Sequence, residues 1–222
     1  MTVRAAVFAS GGGTNFQALL DGQPAGGAWR IVLLLTDRED AGAIARAVEA
    51  DVPVAVVRTN GRSPADVGRE MLDVLARHRV DLVLLAGYVK LVPPEVVARY
   101  ARRMLNIHPA LLPAFGGKGM YGKRVHAAVL ASGVEESGAS VHFVDEEYDR
   151  GPVIAHRRVP VLAGDTPESL AARVLEIEHQ LYPAAVDRVC EALAAGREPT
   201  ELAFATSTEM TTHDVTTKEE KS

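Results

Sequence analysis

Asn106 and His108 stand two positions apart in Met104-Leu105-Asn106-Ile107-His108-Pro109, so on an extended backbone their side chains share one face. An amide donor beside an imidazole suits an oxygen that gains negative charge as a carbonyl carbon becomes tetrahedral. Pro109 biases His108 toward extended geometry, and Pro113 stiffens the loop beyond it. A single loop histidine is more often structural than catalytic. The paired Asn, the strand end and the prolines favour chemistry here, without naming a reaction. A second group of interest is Asp145-Glu146-Glu147-Tyr148-Asp149-Arg150, which carries four acids. Its simplest reading is a solvated turn. A carboxylate from it beside His108 would raise the imidazole pKa and could hold a water that carries protons. Residue types alone leave open which acid this is.

A third group is the turn Ser10-Gly11-Gly12-Gly13-Thr14-Asn15. Amides at a helix N-terminus carry partial positive charge, and glycines let an anion approach the backbone. A phosphate site and a tight connection capped by Thr14 or Asn15 are equally compatible with it. A phosphate loop of the Gly-Lys-Ser/Thr type is absent. The dinucleotide fingerprint would need Gly or Ala where Phe16 stands. Asp37, just after the second apolar run, keeps a ribose-binding acid and hence a nicotinamide enzyme open as the weaker reading.

These groups need a scaffold. Val3–Ala9, Arg30–Leu35, Val54–Val57, Asp81–Ala86 and Arg103–Ile107 read as strands, mostly unbroken apolar runs of the kind buried on both faces of a parallel sheet. Helical patterns at Asn15–Asp21, Ala41–Ala50, Pro64–Arg77 and Pro93–Tyr100 alternate with them. The fold class expected is α/β, a doubly wound, mostly parallel sheet. Ligands then gather at the carboxyl ends of the strands. Gly138–Val144 and Pro152–Val159 flank a connector too short for a parallel crossover, so they should be antiparallel. A long helix from Pro167 to Ala195 follows, capped at Asp165-Thr166.

Residues 1–205 are expected to form one domain, and the Ser/Thr/Glu/Lys-rich residues 206–222 a disordered tail. The 222 residues carry a net charge of −5, with no global basic field to attract nucleic acid. The only cysteine, Cys190, excludes an intrachain disulfide and suits a reducing cytoplasm, where it reads as a small buried apolar residue. The N-terminal apolar run is too short for a membrane span. No histidine pair has the spacing of a zinc motif, so no metal is expected. His142 shares a strand face with Ser140 and could support a site, whereas His126 should pack or face solvent.

Across residues 3–195 the chain resembles the phosphoribosylglycinamide formyltransferase family. The resemblance rests on Ser10 to Asn15, Leu85-Ala86-Gly87-Tyr88-Val89-Lys90-Leu91, Asn106 to Pro113, Gly138 to Pro152, and Glu178-His179-Gln180-Leu181-Tyr182-Pro183, in the family's order. It implies a Rossmann-like formyltransferase fold and formyl transfer from 10-formyltetrahydrofolate, as co-substrate, to the amine of glycinamide ribonucleotide. It implies a ribonucleotide site at Gly13, Thr14 and Asn15 and at Leu175, Glu176, Ile177 and Glu178. It implies a folate site at Val89, Lys90, Leu91, Val92, Asn106, Asp145, Glu146, Glu147, Tyr148 and Asp149. Asn106, His108 and Asp149 correspond to the catalytic trio, with Asp149 raising the His108 pKa. The chain would act as a cytoplasmic monomer or homodimer, without nucleic acid or membrane.

Some positions depart from the family's pattern. Lys90 stands for an arginine, Pro64 for an arginine near the folate (with Arg62 nearby), Thr14 for a serine and Arg150 for a small residue. A methionyl-tRNA formyltransferase would add a basic C-terminal domain, and a formyltetrahydrofolate hydrolase an N-terminal one. A dinucleotide-binding oxidoreductase would explain the glycine turn but not Asn106 and His108.

Overall fold

The five early apolar runs become parallel strands covered on both faces, and the two later runs close one edge of the sheet in antiparallel fashion. The computed structural model describes residues 2–198. In chain order they form β1 (Val3–Phe8), α1 (Thr14–Asp21), β2 (Trp29–Thr36), α2 (Ala43–Glu49), β3 (Val54–Val56), α3 (Pro64–Arg77) and β4 (Leu82–Leu85). There follow α4 (Pro94–Arg99), β5 (Met104–His108), α5 (Lys123–Ser132), β6 (Glu136–Phe143), β7 (Val153–Pro160) and α6 (Pro167–Ala194). The sheet order is β3-β2-β1-β4-β5-β6-β7. Strands β1 to β5 pair in parallel, and β6 and β7 each run antiparallel to their predecessor. The winding reverses between β1 and β4, where a doubly wound sheet opens a crevice at its carboxyl edge.

Strand periodicity sends alternate residues to two cores. Val7 of β1 packs with Phe16 and Leu19 of α1, Val129 of α5 and Val174, Tyr182 and Val186 of α6. Its neighbour Phe8 packs with Val67, Met71 and Leu75 of α3 and Val96 and Val97 of α4. The helix starts obey capping chemistry. Ser63 accepts from the Asp66 amide ahead of α3, and Thr166 and Ser169 form a reciprocal capping box ahead of α6. Helix α5 was not anticipated: it emerges from a glycine-rich loop, and its start, Gly122, offers no side-chain cap. The tail expected over residues 206–222 lies outside the described residues. No helix among the described residues is long and apolar enough to cross a membrane.

Two side chains fasten α6 to the sheet. The Tyr182 hydroxyl, fully buried, lies 3.1 Å from the carbonyl oxygens of both Leu85, at the end of β4, and Leu105, within β5. Trp29 Nε1 donates to Asp187 Oδ1 at 2.6 Å. Tyr182 therefore sets the depth at which Glu178, one helical turn earlier, meets the carboxyl edge. Tyr182→Phe should cost about 1–3 kcal/mol, the range for removing a partner of buried polar groups. Urea denaturation measures it, and a loss below about 0.5 kcal/mol would show that the hydroxyl is not a fastening.

Candidate active site

The pairing of β5 with β6 builds the site. In this antiparallel register Asn106 faces His142, and His108 faces Ser140. Ser140 Oγ donates to the Ala110 carbonyl at 2.8 Å and accepts from the Leu112 amide at 3.0 Å, holding the loop that leaves His108. The β6–β7 register slips between Val141 and His142, which pair with Ala155 and Val153 and leave Ile154 as the extra residue. Such bulges re-aim side chains next to functional sites.

Asp149 enters from the β6–β7 connector in a left-handed conformation, with φ at 54°. Its Oδ2 accepts from the Gly117 amide at 2.9 Å and lies 3.5 Å from His108 Nδ1. Its Oδ1 lies 3.4 Å from Asn106 Nδ2 and 3.5 Å from His142 Nε2. Two glycines permit this approach: a Cβ at Gly151 would lie 1.8 Å from the Phe143 carbonyl oxygen, and one at Gly116 would lie 3.1 Å from Asp149 Cβ. The connector is thus more than a solvated turn, and of its four acids Asp149 is the one beside His108.

The hydrogen-bond partners assign the tautomers. His142 Nδ1 is 2.8 Å from the Phe143 carbonyl oxygen, an acceptor, so Nδ1 carries a hydrogen. His142 Nε2, 2.9 Å from Asn106 Nδ2, then accepts from that amide in the neutral ring. His108 Nε2 is 2.9 Å from the Phe115 carbonyl oxygen and donates to it, leaving Nδ1 toward Asp149. Burial lowers the His108 pKa; the Asp149 carboxylate and the Phe115 carbonyl raise it, and burial outweighs them. Asp149 therefore acts on His108 in the expected direction, but the net shift is downward, which favours the neutral ring. Burial pushes Asp149 up, while contacts with His142, His108 and the Gly117 amide outweigh it and hold the carboxyl below its usual range. Arg150 is exposed and is not among the groups that lower it.

These residues open onto a cleft of about 510 Å³. Its lining joins Asn106, His108, His142 and Asp149 to Val89, Lys90, Leu91 and Val92, to Asp145, Glu147 and Tyr148, and to Asn15 and Glu178. Glu146 is exposed and outside it. On α6, Leu175 and Glu178 line the cleft, whereas Glu176 is exposed and Ile177 packs on the core, because residues three apart share a helix face and their intermediates do not. His126 packs rather than facing solvent: it is buried on α5, lines the cleft and lies near enough to His108 to lower its own pKa further, after burial. Arg62 pairs with Glu70, and neither it nor Pro64 lines the cleft. Lys90 Nζ donates to Asn60 Oδ1 at 3.2 Å. Among the described residues no group of three or more His, Cys, Asp or Glu side chains could hold a metal. Cys190 is buried, its thiol pushed up to about 12 by that burial.

The glycine turn is not capped by Thr14 or Asn15, which corrects one of its two readings. The cap is Gly13, left-handed at φ 73°, and no side chain accepts from the helix. The first helical bond is Gln17 N to Gly13 O, so the amides of residues 14–16 point out of the helix start. A Cβ at Gly11 or Gly12 would meet nothing within 4 Å, so open space adjoins these amides. Arg46 of α2 donates to the Gly12 carbonyl at 2.9 Å and brings a cation alongside. Thr14 lines a second, smaller cavity with Gln17, Arg46 and His179. Asn15 instead donates to Glu178 Oε2 at 2.9 Å, and its own buried Oδ1 has no partner. Burial raises the Glu178 pKa to about 7, against the lowering effect of Asn15.

Residues 3–186 match the family model described as formyl transferase. The chloroplastic phosphoribosylglycinamide formyltransferase of Arabidopsis thaliana is 50% identical over 196 residues, covering 87% of this chain and 67% of that protein. The chain spans about two thirds of the length of the plant relatives it matches. Phosphoribosylglycinamide formyltransferase of Escherichia coli is 38% identical over 181 residues, covering 80% of this chain and 82% of that one. The crystal structure of glycinamide ribonucleotide transformylase 1 from Symbiobacterium toebii superposes with a TM-score of 0.81 at 39% identity, covering 86% of this chain and 89% of its own.

Two ionisations can be tested directly. Native Glu178 keeps its proton up to about pH 7, while in the unfolded chain it loses it near 4.5. The unfolded state binds fewer protons in between, so stability falls as pH rises through that window. Glu178→Gln should remove a fall on the order of 3 kcal/mol, measured by urea denaturation at several pH values; parallel profiles for the two proteins would contradict the assignment. Asp149→Asn removes an anion that favours the His108 cation, so the His108 pKa should drop further. NMR titration of the ring decides this, and an unchanged value would mean that another acid is the partner.

Proposed function

This chain belongs to the formyl transferase family, and on that premise we propose that it moves a formyl group from 10-formyltetrahydrofolate to the amine of glycinamide ribonucleotide, with Asn106, His108 and Asp149 at the reacting carbon. The reaction is a one-carbon transfer in purine biosynthesis. The observation that carries the assignment of residues is the single cleft, whose lining joins the Asn106–His108–Asp149 cluster to Asn15 and Glu178 and to residues 88–92.

The ribonucleotide phosphate sits beside Gly13 at the outward amides of Thr14 and Asn15, in the open space beside Gly11 and Gly12. Asn15 and Glu178 meet the sugar and glycinamide end. Their support is a buried acceptor without a partner and a carboxyl poised between its two charge states. The pterin lies along residues 89–92 and against Asp145, Glu147 and Tyr148, with the Lys90 ammonium as a point charge.

The substrate amine is its own nucleophile. As it bonds to the formyl carbon, the carbonyl oxygen becomes negative and the amine nitrogen positive. Neutral His108 has its hydrogen on Nε2, committed to Phe115, so Nδ1 has an electron pair to take the amine proton. The resulting imidazolium is stabilised by Asp149 at 3.5 Å, a separation long enough for Nδ1–H to turn to a nearer oxygen. It balances the oxyanion, together with the Asn106 amide, and returns the proton to the folate nitrogen as the carbon–nitrogen bond breaks. A water held by Asp149 can carry the same proton.

Every residue used comes from one copy of the chain, so a monomer and a homodimer both accommodate this reading. Cytoplasmic placement is supported by a lone, buried thiol that needs no oxidising compartment. His108→Ala should lower transfer by about a hundredfold or more and change ribonucleotide affinity less than about twofold. A steady-state assay with both substrates and calorimetry with the ribonucleotide measure the two. Weakened binding with normal turnover would defeat the assigned role, and formyl release to water from the folate alone would make the protein a hydrolase.

A further inference from the structure

Oxyanion stabilisation by Asn106 requires its NH₂ group in the cleft, yet both N–H groups are directed elsewhere. One reaches His142 Nε2 at 2.9 Å and the other Asp149 Oδ1 at 3.4 Å. Asn106 lines the cleft, so the end of the amide left for a ligand is the carbonyl oxygen. That end repels an oxyanion. The orientation follows from the hydrogen on His142: its Nδ1–H is committed to the Phe143 carbonyl at 2.8 Å, so a neutral ring has only an electron pair at Nε2, and an electron pair selects the Asn106 NH₂.

We propose that His142 is a positioning residue that sets which end of the Asn106 amide faces the reacting oxygen, the neutral ring presenting the carbonyl and the imidazolium presenting the NH₂. A proton added from solvent to Nε2 makes both ring nitrogens donors. Nε2–H then needs an acceptor at 2.9 Å, and a half-turn of the Asn106 amide about its last bond supplies Oδ1 there. The same half-turn carries the NH₂ group to the cleft. Asp149 Oδ1 lies 3.5 Å from His142 Nε2, and His108 lies on the other side of that carboxylate. The other groups facing His142 are the Asn106 amide from β5, the Phe143 carbonyl of β6 and, across the β7 pairing, the apolar Val153. His142 is 2% exposed beside the bulge at Val141/His142, and Asp149 Oδ1, at 3.5 Å from Nε2, is more distant than the Asn106 amide at 2.9 Å. The inference rests on Asn106 acting as an oxyanion donor.

A double-mutant cycle on single-turnover transfer tests it. His142→Ala in the parent protein should lower the rate constant by roughly ten- to a hundredfold, as for other displaced groups next to chemistry, with substrate affinities little changed. In an Asn106→Ala background the same change should matter less than about twofold, because no amide remains to orient. His142→Gln, which can donate or accept, should recover part of the loss. Equal factors in both backgrounds would overturn the role of His142 while leaving Asn106 as a donor. If Asn106→Ala itself has no effect, the donor reading fails and this inference with it. A measurement on the unmutated protein is independent of any folding defect. The Asn106 side-chain amide signals, assigned against Asn106→Ala, should shift with the same midpoint as the His142 ring in an NMR titration. Amide signals that stay constant through that midpoint would refute the coupling.

Discussion

A carboxylate with little solvent around it has to be surrounded by donors or it takes up a proton, and the placement of Asp149 between two imidazoles organises this molecule. The Gly117 amide holds one oxygen and the Asn106 amide approaches the other. The two amides come from the loop after β5 and from β5 itself, and β6 sets His142 beside the same carboxylate. The anion is therefore compatible only with a chain in which all three segments are in place. Its own backbone is left-handed at φ 54°, an uncommon state for a residue with a Cβ, which a fastened loop at both sides can impose. Gly116 and Gly151 leave the space such a conformation needs.

The change from parallel to antiparallel pairing at β5 is what makes this possible. A parallel neighbour would put its own carboxyl end, and a crossover, beside Asn106 and His108. An antiparallel neighbour instead pairs Asn106 with His142 and His108 with Ser140, and then sends the chain directly into the acidic connector. Ser140 meanwhile ties Ala110 and Leu112, so the loop carrying Phe115 and Gly117 cannot drift from the histidine it covers. Helix α6 closes the opposite side, its depth set where Tyr182 reaches Leu85 of β4 and Leu105 of β5.

Much of this was legible in the residues, for reasons that also explain the misses. Double burial writes unbroken apolar runs, so the strands were found within a residue or two, and α3 at its full extent, because Ser63-Pro64 and the apolar period agree. Asn106 and His108 were legible as a pair because a two-residue spacing on a strand has one meaning. Helix α5 was not, since its glycine-rich approach signals a loop and its cap carries no side-chain signature. Treating Leu175 to Glu178 as one lining ignored the helical period, which could have set aside Glu176 and Ile177 beforehand. Asn15 read as a cap because residue types near a helix start suggest one; its true partner, Glu178, is 163 positions away and visible only in the folded chain. The net shift at His108 was not legible for a similar reason. A nearby acid can be guessed from a motif, whereas desolvation is a property of everything packed around the ring.

The glycine turn resembles that of dinucleotide folds, but its surroundings differ. A nucleotide cofactor anchored at such a turn extends toward the end of the second strand, where an acid meets the ribose. In this chain that route is closed: Asp37 is buried, lies near enough to Tyr88 to raise its phenol pKa beyond what burial does, and is absent from the cleft lining. Phe16, in place of a small residue, fills the core between α1 and the sheet instead of letting the helix approach closely. An anion held at the turn must therefore direct the rest of its molecule the other way, over β4 and toward β5. That side of the cleft is lined by Glu178, His108 and His142. In the proposed reaction that direction would bring the amine to β5, where the pairing changes from parallel to antiparallel.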